Sequence, residues 1–137
     1  DVLLAEPSYL EAIARLHHQT FSDETESPEL SHRYISEALK DPDSLLYILF
    51  KDGQVIGICT VDVSGTSNYL YGLAVVEDYR GKGYGSYLAK SLINQLIEQN
   101  DKAFQIAVED SNLGAKRLYE KIGFVRQTQV VYLKSKK

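Results

Sequence analysis

A glycine-rich segment in the middle of the chain combines backbone freedom with positive charge. Gly81, Gly83 and Gly85 alternate with other residues, and Arg80 and Lys82 add two cations. The segment lies between an apolar stretch and a long amphipathic stretch, where a strand-to-helix turn directs backbone N–H groups and the helix dipole towards one point. This arrangement predicts a binding site for a pyrophosphate-like anion. A glycine-rich loop that serves only a tight turn is the alternative interpretation.

A second group of candidate residues lies nearer the C-terminus, on a helix predicted over 112–122. Asn112 and Tyr119 are two helical turns apart, so their side chains share one face of that helix. An amide and a phenol on one face can bind a ligand and donate a proton to it. The alternative is that Tyr119 is a core aromatic residue that packs with Leu118 and Ile122.

The elements that would position these residues follow from hydrophobic periodicity and turn signals. In chain order we expect helices at 9–21 and 29–39, strands at 45–50, 55–63 and 69–76, a helix at 84–99, a strand at 103–108, a helix at 112–122 and a strand at 124–133. The Asp52-Gly53 pair predicts a tight hairpin, so the first three strands should form an antiparallel meander. The later strand, helix, strand units require a parallel pair of strands with a right-handed crossover.

Composition limits the class of protein. The 137 residues are 44% hydrophobic and 25% charged, which is typical of a single soluble domain over 1–137. We expect a cytoplasmic protein without a membrane partner, because no apolar run approaches the roughly 20 residues of a membrane span and no secretory signal is visible. The net charge of -4 argues against nucleic acid as a partner.

Other chemistries are disfavoured by particular residues and spacings. Neither the G-x-G-x-x-G motif of dinucleotide-binding folds nor the G-x-x-x-x-G-K-S/T phosphate loop is present. Cys59 is the single cysteine, so it forms no internal disulfide, and we interpret it as a small buried hydrophobe. His17, His18 and His32 lack metal-ligand spacing and are interpreted as structural, so no metal site is expected.

The segment Arg80-x-x-Gly83-x-Gly85 resembles the acetyl-CoA signature Q/R-x-x-G-x-G/A of the GCN5-related N-acetyltransferase (GNAT) superfamily. A second block is similar to the family's N-x-x-A-x-x-x-Y-x-x-x-G-F element, through Asn112, Ala115, Tyr119, Gly123 and Phe124. The two motifs have the family's order, and the resemblance covers roughly residues 45–133. It implies an α/β fold with a mixed, mainly antiparallel sheet that is splayed between its fourth and fifth strands and flanked by helices.

The resemblance also implies acetyl-CoA as the acetyl donor and assigns residues to it. By similarity, the cofactor-binding residues are Leu73, Ala74, Val75, Arg80, Gly81, Lys82, Gly83, Tyr84, Gly85, Ser86, Asn112, Lys116 and Tyr119. Tyr119 corresponds to the usual general acid. Many relatives carry a carboxylate base on the fourth strand, but here the matching positions hold Tyr71 and Gly72. Glu109, at the end of the fifth strand, is therefore the candidate base.

The expected activity is transfer of the acetyl group to a primary amine by direct attack in a ternary complex. The acceptor is either a small cationic amine or a peptide amine. Asp23, Glu24 and Glu26 lie in the loop between the first two helices, which borders the acceptor site in the family. Together with Tyr71 they are candidate substrate-binding residues, and their charge would attract a cationic amine.

Two other functions remain as alternatives. The short ending after Gly123-Phe124, with Tyr71-Gly72 and Tyr132, is similar to the C-terminal half of two-domain GNAT proteins. This likeness is compatible with a non-catalytic acetyl-CoA-binding or regulatory module, and with a homodimer or a second GNAT domain as partner. The other alternative is an unrelated nucleotide-binding domain, although its motifs are absent. The presence of Tyr119 favours the enzyme, since a module that only binds has less need of a proton donor.

Overall fold

A computed structural model of the protein describes residues 1–21, 27–107, 117, 120, 124–126 and 132–135. In chain order these residues form strand β1 (Val2–Leu4), helices α1 (Leu10–Phe21) and α2 (Pro28–Lys40), strands β2 (Ser44–Lys51), β3 (Gln54–Asp62) and β4 (Ser67–Val75), helix α3 (Tyr84–Gln99), and strands β5 (Ala103–Ala107), β6 (Phe124–Arg126) and β7 (Tyr132–Ser135). Single 3-10 turns at Pro7–Tyr9 and Glu77–Tyr79 precede α1 and α3. The predicted bounds of α3 are confirmed.

The strands of the described residues form one sheet in the order β1-β2-β3-β4-β5-β7-β6. Neighbouring strands are antiparallel except β4 and β5, which run parallel and are connected through α3. The predicted meander and the mixed, mainly antiparallel sheet are therefore confirmed. Among the helices that the structure describes, none has the length and apolarity required to cross a membrane.

The parallel pair of β4 and β5 is short. Its residue pairs run only from Ser67 with Ala103 to Leu70 with Ile106. β4 continues beyond Leu70 to Val75, where it still pairs with β3 on its other side. Within the described residues no strand pairs with this second half of β4 on the β5 side, in agreement with a sheet that is splayed at this point.

Local sequence signals account for the ends of several elements. Asp52 and Gly53 both have positive φ, 52° and 78°, as a two-residue hairpin turn between β2 and β3 requires. Helix α2 begins after Ser27, whose hydroxyl oxygen accepts a hydrogen bond from the Glu29 backbone N–H at 3.2 Å. Pro28 occupies the first turn, where its missing N–H costs nothing.

The core has one layer on each face of the sheet. On one face, Leu88, Leu92 and Leu96 of α3 pack with sheet residues that include Leu70 and Ile106, and all five are fully buried. On the other face, Ile13, Ala14 and Leu16 of α1 and Ile35 of α2 pack with Leu46, Ile48, Ile58 and Ala74. The sheet is therefore fixed from both sides, and β4 contributes to both layers.

Two features differ from the sequence prediction. Strand β1 was not predicted, because three residues are too few to show a period, although it pairs with β2 at the edge of the sheet. The single strand predicted over 124–133 is wrong, since β6 and β7 are two antiparallel strands. The last strand, helix, strand unit therefore gives no parallel pair, because β7 lies between β5 and β6 and pairs antiparallel with both. Residues 127–131 contain no glycine, proline, asparagine or aspartate to indicate a turn.

The helix predicted over 112–122 falls mostly outside the described residues. Arg117 and Glu120 are its two described positions, and both are helical and exposed.

Candidate functional site

The turn between β4 and α3 has the backbone conformation that its glycines allow. Gly81 and Gly83 have φ of 76° and 87°, and Gly83 is the residue that precedes α3. A Cβ atom at either position would meet nothing within 4 Å. The requirement for glycine is therefore conformational, because side chains strongly disfavour positive φ. Gly85 lies in the first turn of α3.

Some backbone N–H groups of this turn have an acceptor within the turn or the helix, and others do not. The N–H of Arg80 donates to the carbonyl of Glu77 at 3.1 Å, whereas the N–H of Tyr87 makes the first hydrogen bond of α3, to Gly83 at 3.0 Å. The N–H groups of Tyr84, Gly85 and Ser86 therefore have no acceptor within the helix. They form the positive end of α3, where an anion can bind.

Three cationic side chains lie around the same turn. Lys82 and Arg80 are exposed, and the Lys82 ammonium lies 5.9 Å from the ring centroid of Tyr79. The ammonium of Lys51, from the end of β2, lies 5.9 Å from the ring centroid of Tyr84. A cavity of about 320 Å³ lies beside these residues and is also lined by Gly83. The turn therefore combines the positive end of a helix dipole with positively charged side chains.

A bulge interrupts β4 at Gly72. Ile58 pairs with Ala74 and Thr60 with Tyr71, so Cys59 lies opposite two residues, Gly72 and Leu73. Gly72 has φ of 68°, which only glycine adopts at low cost.

The bulge changes the face of the sheet on which the β4 side chains after Gly72 lie. Leu70 and Leu73 are three positions apart and would lie on opposite faces of a regular strand. Here both pack on the α3 side, while Ala74 packs on the side of α1 and α2. The extra residue changes the alternation at the point where the strand separates from β5.

The main chain of Val75 is directed into the splayed region. The N–H of Val76 donates to the carbonyl of Ile56 at 2.8 Å, so this antiparallel pair is the hydrogen-bonded one. The adjacent Val75–Gly57 pair is then of the other type, whose N–H and C=O groups point away from the partner strand. The carbonyl of Val75 accepts from the Nε atom of Arg80 at 2.8 Å. The Val75 N–H remains directed towards the β5 side.

A polar and aromatic cluster covers the other face of β4. Tyr34, on α2, lies near Tyr71, next to the bulge. The imidazole of His17, on α1, stacks on the Tyr34 ring with centroids 5.0 Å apart, and its Nδ1 lies 2.8 Å from the hydroxyl oxygen of Ser31. The rings of Tyr69 and Tyr71 lie 5.9 Å apart. Burial, followed by the charge and hydrogen bond of Tyr71, raises the pKa of Tyr34 to about 12.

A cavity of about 350 Å³ opens beside this cluster, between α1 and α2. Its lining includes His17, Ser31 and three large hydrophobic side chains that remain about half exposed, Phe21 (47%), Leu30 (49%) and Tyr34 (45%). An apolar concave surface next to polar groups is typical of a ligand-binding site. His17 was predicted to be structural and Tyr34 was not predicted as a site residue, because no local signal relates α2 to β4.

The remaining predicted site residues lie outside the described residues. These are Asp23, Glu24, Glu26, Glu109, Asn112, Lys116 and Tyr119. Among the residues that the structure does describe, no cluster of histidine, cysteine and carboxylate side chains could hold a metal ion. Cys59 is buried, and its burial raises the pKa of its thiol to about 12, so it is not a nucleophile at neutral pH.

The sequence model of the acetyltransferase (GNAT) family matches residues 10–124. The chain belongs to this family. The described GNAT elements, from α1 to β6, fall within or at the edge of that match, and the signature turn lies inside it.

Individual relatives are similar in sequence and in fold. A ribosomal protein bS18-alanine N-acetyltransferase of Haemophilus influenzae is 36% identical over 76 residues, which are 56% of this chain and 51% of that protein. The aligned part of the chain spans about half to two thirds of the length of the curated relatives that it matches first.

Solved GNAT structures have the same fold. The ribosomal-protein-S18-alanine N-acetyltransferase of Escherichia coli superimposes with a TM-score of 0.83 at 19% identity, covering 98% of this chain and 92% of that one. The PaiA N-acetyltransferase of Thermoplasma acidophilum, solved in complex with coenzyme A, gives a TM-score of 0.78 at 16% identity, covering 100% and 98%.

Proposed function

We propose that this protein is a cytoplasmic N-acetyltransferase, a single GNAT domain over 1–137, that transfers the acetyl group of acetyl-CoA to the α-amine of a peptide or protein. The observation that carries the proposal is the turn of left-handed glycines at the N-terminus of α3, directly beside the splayed end of β4. In this proposal the N–H groups of residues 81–86 hold the pyrophosphate, with Arg80 and Lys82 as counter-charges. The main chain of Leu73, Ala74 and Val75 binds the pantetheine and acetyl groups, together with Asn112 and Lys116.

The acceptor follows from the chemistry of β4. Tyr71 and Gly72 occupy the positions where a carboxylate base would lie, so a weakly basic amine is favoured. An α-amine titrates near 7.7–8.0, and its neutral form costs about 1.2 kcal/mol at pH 7, whereas a lysine-type amine near 10.4 costs about 4.6 kcal/mol. The family relatives support the same choice, because an alanine residue has no amine other than its α-amine.

The reaction transfers one acetyl group and one proton. The neutral amine attacks the thioester carbonyl, a C–N bond forms, the C–S bond breaks, and a proton from the amine is finally gained by sulfur. Tyr119 is the proposed proton donor, and Glu109 is the proposed group that accepts the amine proton. Because a phenol titrates near 10 and a thiol near 8.5, full transfer from tyrosine is uphill by about 2 kcal/mol, so Tyr119 acts largely as a hydrogen-bond donor.

Asp23, Glu24 and Glu26 complete the proposed acceptor side. In the sequence they come shortly after Phe21, the last residue of α1, whose side chain lines the α1–α2 cavity. Their negative charge favours arrival of the protonated α-amine, and this effect should weaken with added salt.

The test is a thiol-release assay with three matched acceptors. The first is a lysine-free peptide with a free α-amine, the second the same peptide blocked at its α-amine and carrying one internal lysine, and the third a polyamine. We expect kcat/KM at pH 7 to be at least tenfold higher for the first. Acetylation of the lysine peptide or the polyamine alone would show that the acceptor proposal is wrong.

A non-catalytic acetyl-CoA-binding module is the second candidate, and the replacement of the β4 carboxylate by Tyr71-Gly72 is the observation that favours it. Calorimetry with CoA separates the two functions. CoA binding without acetylation of any acceptor would support the module, whereas turnover excludes it.

A further inference from the structure

Lys51 brings a positive charge from the sheet to the start of α3. It is the last residue of β2, and its ammonium lies 5.9 Å from the ring centroid of Tyr84, the first residue of the helix. It also forms an ion pair of 3.8 Å with Asp52, whose side chain is 72% exposed. An ion pair in such an exposed position contributes little free energy, so the Lys51 ammonium can exchange Asp52 for a bound anion.

The cavity of about 320 Å³ beside Lys51 combines cations with aromatic rings. Lys51 and Lys82 supply two positive charges, and Tyr84 and Tyr87 supply two rings, of which Tyr87 is 53% exposed. Asp1 also lines the cavity, with a carboxylate and the N-terminal ammonium, whose charges offset each other. Aromatic rings next to cations can bind the base and the phosphate of a nucleotide together.

The cavity lies on the β2 side of the glycine-rich turn, whereas the splayed end of β4 lies on the β5 side. Gly83 lines the cavity together with Leu49 and Lys51 of β2, and in the sheet order β2 and β5 lie on opposite sides of β4. A Cβ atom at Gly57 of β3 would lie 3.3 Å from the Leu88 side chain, so α3 crosses the sheet between these two positions. A ligand that enters along the splayed end and places its pyrophosphate on the turn would therefore reach the cavity with its next group.

We infer that this cavity binds the 3′-phosphoadenosine end of CoA. The Lys51 ammonium pairs with the 3′-phosphate, and the Tyr87 ring stacks on the adenine, while Lys82 stays with the pyrophosphate. The 3′-phosphate and the pyrophosphate are attached to the same ribose, so the two anions can occupy the cavity and the turn together. The inference rests on the proposed function only for the identity of the ligand, since it requires CoA but no acetyl transfer. It adds one residue of β2 and one of α3 to the cofactor site, and the signature Arg80-x-x-Gly83-x-Gly85 contains neither.

The test compares CoA with 3′-dephospho-CoA by isothermal calorimetry. The parent should bind CoA about tenfold more tightly, because only CoA offers the 3′-phosphate to Lys51. Lys51→Gln should weaken CoA binding to the level of dephospho-CoA and leave the Kd of dephospho-CoA within about twofold of the parent, which is also the control for its folding. Added salt should reduce the preference of the parent for CoA. Lys40→Gln removes an exposed lysine at the end of α2, on the other face of the sheet, and should keep the parental preference.

Variants of Tyr87 should give a different pattern from Lys51→Gln. Both ligands carry adenine, so Tyr87→Leu should weaken the binding of CoA and dephospho-CoA equally, by about fivefold or more, because the stacking of a base on an aromatic ring is lost. Tyr87→Phe keeps the ring and should bind both ligands within about twofold of the parent.

Each contrary result has a distinct meaning. Equal Kd values for CoA and dephospho-CoA in the parent would overturn the inference and leave the cofactor site of the proposed function intact. Equal loss of both affinities in Lys51→Gln would also overturn it, because Lys51 would then act on a group other than the 3′-phosphate. A Tyr87→Leu variant with parental affinity would remove the adenine from this cavity. A parent protein that binds neither ligand would reject the inference and the proposed function together, whereas the expected preference without turnover of any acceptor would retain the inference and reject the catalytic proposal.

Discussion

The Nε atom of Arg80 lies 2.8 Å from the carbonyl oxygen of Val75, so the first residue of the signature connects the glycine-rich turn to the end of β4. The same guanidinium has further N–H groups, which remain available to an anion at the turn. The geometry thus joins the proposed pyrophosphate site to the proposed acetyl site through one side chain. Arg80 was predicted as a binding residue because of its charge, and it also has a structural role.

Arg80→Lys should separate these two roles. Lysine keeps the positive charge but lacks the planar fork with which arginine can bind Val75 and an anion together. We expect the Kd for CoA to rise about five- to tenfold, as for the loss of one hydrogen bond of about 1 kcal/mol. Isothermal calorimetry measures this, with Arg15→Lys, an exposed change on α1, as the control. An Arg80→Lys protein with parental affinity would show that charge alone matters.

Gly83→Ala should destabilise the protein even without a ligand. Its φ of 87° disfavours any side chain by about 1–2 kcal/mol, although an added Cβ would meet no atom within 4 Å. Gly65→Ala is the matched control, because Gly65 has equally open space and no positive φ. Thermal unfolding should therefore show a lower Tm for Gly83→Ala alone, by about 4–8 °C.

The same pair of variants tests the cofactor site. At 100 times its Kd, acetyl-CoA should stabilise the parent and Gly65→Ala by about 2.7 kcal/mol. Gly83→Ala should show a much smaller increase in Tm, because its turn no longer presents the N–H groups to the pyrophosphate. An equal increase in both variants would locate the phosphate site elsewhere.

Tyr119→Phe should affect catalysis without affecting the cofactor. The change removes one hydroxyl and keeps the ring, and loss of a positioned proton donor lowers kcat by about 10² to 10⁴ with little change in the KM of acetyl-CoA. Single-turnover kinetics should be used, so that chemistry is measured directly. If Tyr119 only packs in a core with Leu118 and Ile122, turnover will stay near that of the parent.

The buried thiol of Cys59 should make the protein less stable in alkali. Burial raises the pKa of this thiol from 9.0 to about 12, so the unfolded chain loses the proton at lower pH than the folded one. The stability associated with the neutral thiol is fully present below about pH 9 and is lost as pH rises through 9 towards 12. Denaturant unfolding across this range should show the decrease. Cys59→Ala should flatten the decrease, and the shift of Tyr34 from 10.0 to about 12 should account for part of what remains.

A thiol reagent gives a second measurement on the same residue. The folded protein should be unreactive at pH 8 and should show one reactive thiol after unfolding, because Cys59 is the only cysteine. Rapid reaction of the folded protein would contradict the burial of Cys59.

Sequence alone determined the parts of this protein that depend on neighbouring residues. The Asp52-Gly53 hairpin, the start of α2 after Ser27, and the strand-to-helix turn before α3 all follow from backbone preferences and caps within a few positions. The family motif then indicated the fold, because its spacing matches a local strand-to-helix turn.

Only the tertiary structure decided the features that join distant segments. The pairing of β5 with β7 rather than with a single long strand, and the bulge that reverses the faces of Leu73 and Ala74, depend on partner strands that local patterns do not identify. The stacking of His17 on Tyr34 joins residues of α1 and α2. Local backbone preferences do not predict such contacts, because the contacts form only when α1 and α2 bury their apolar faces on the sheet.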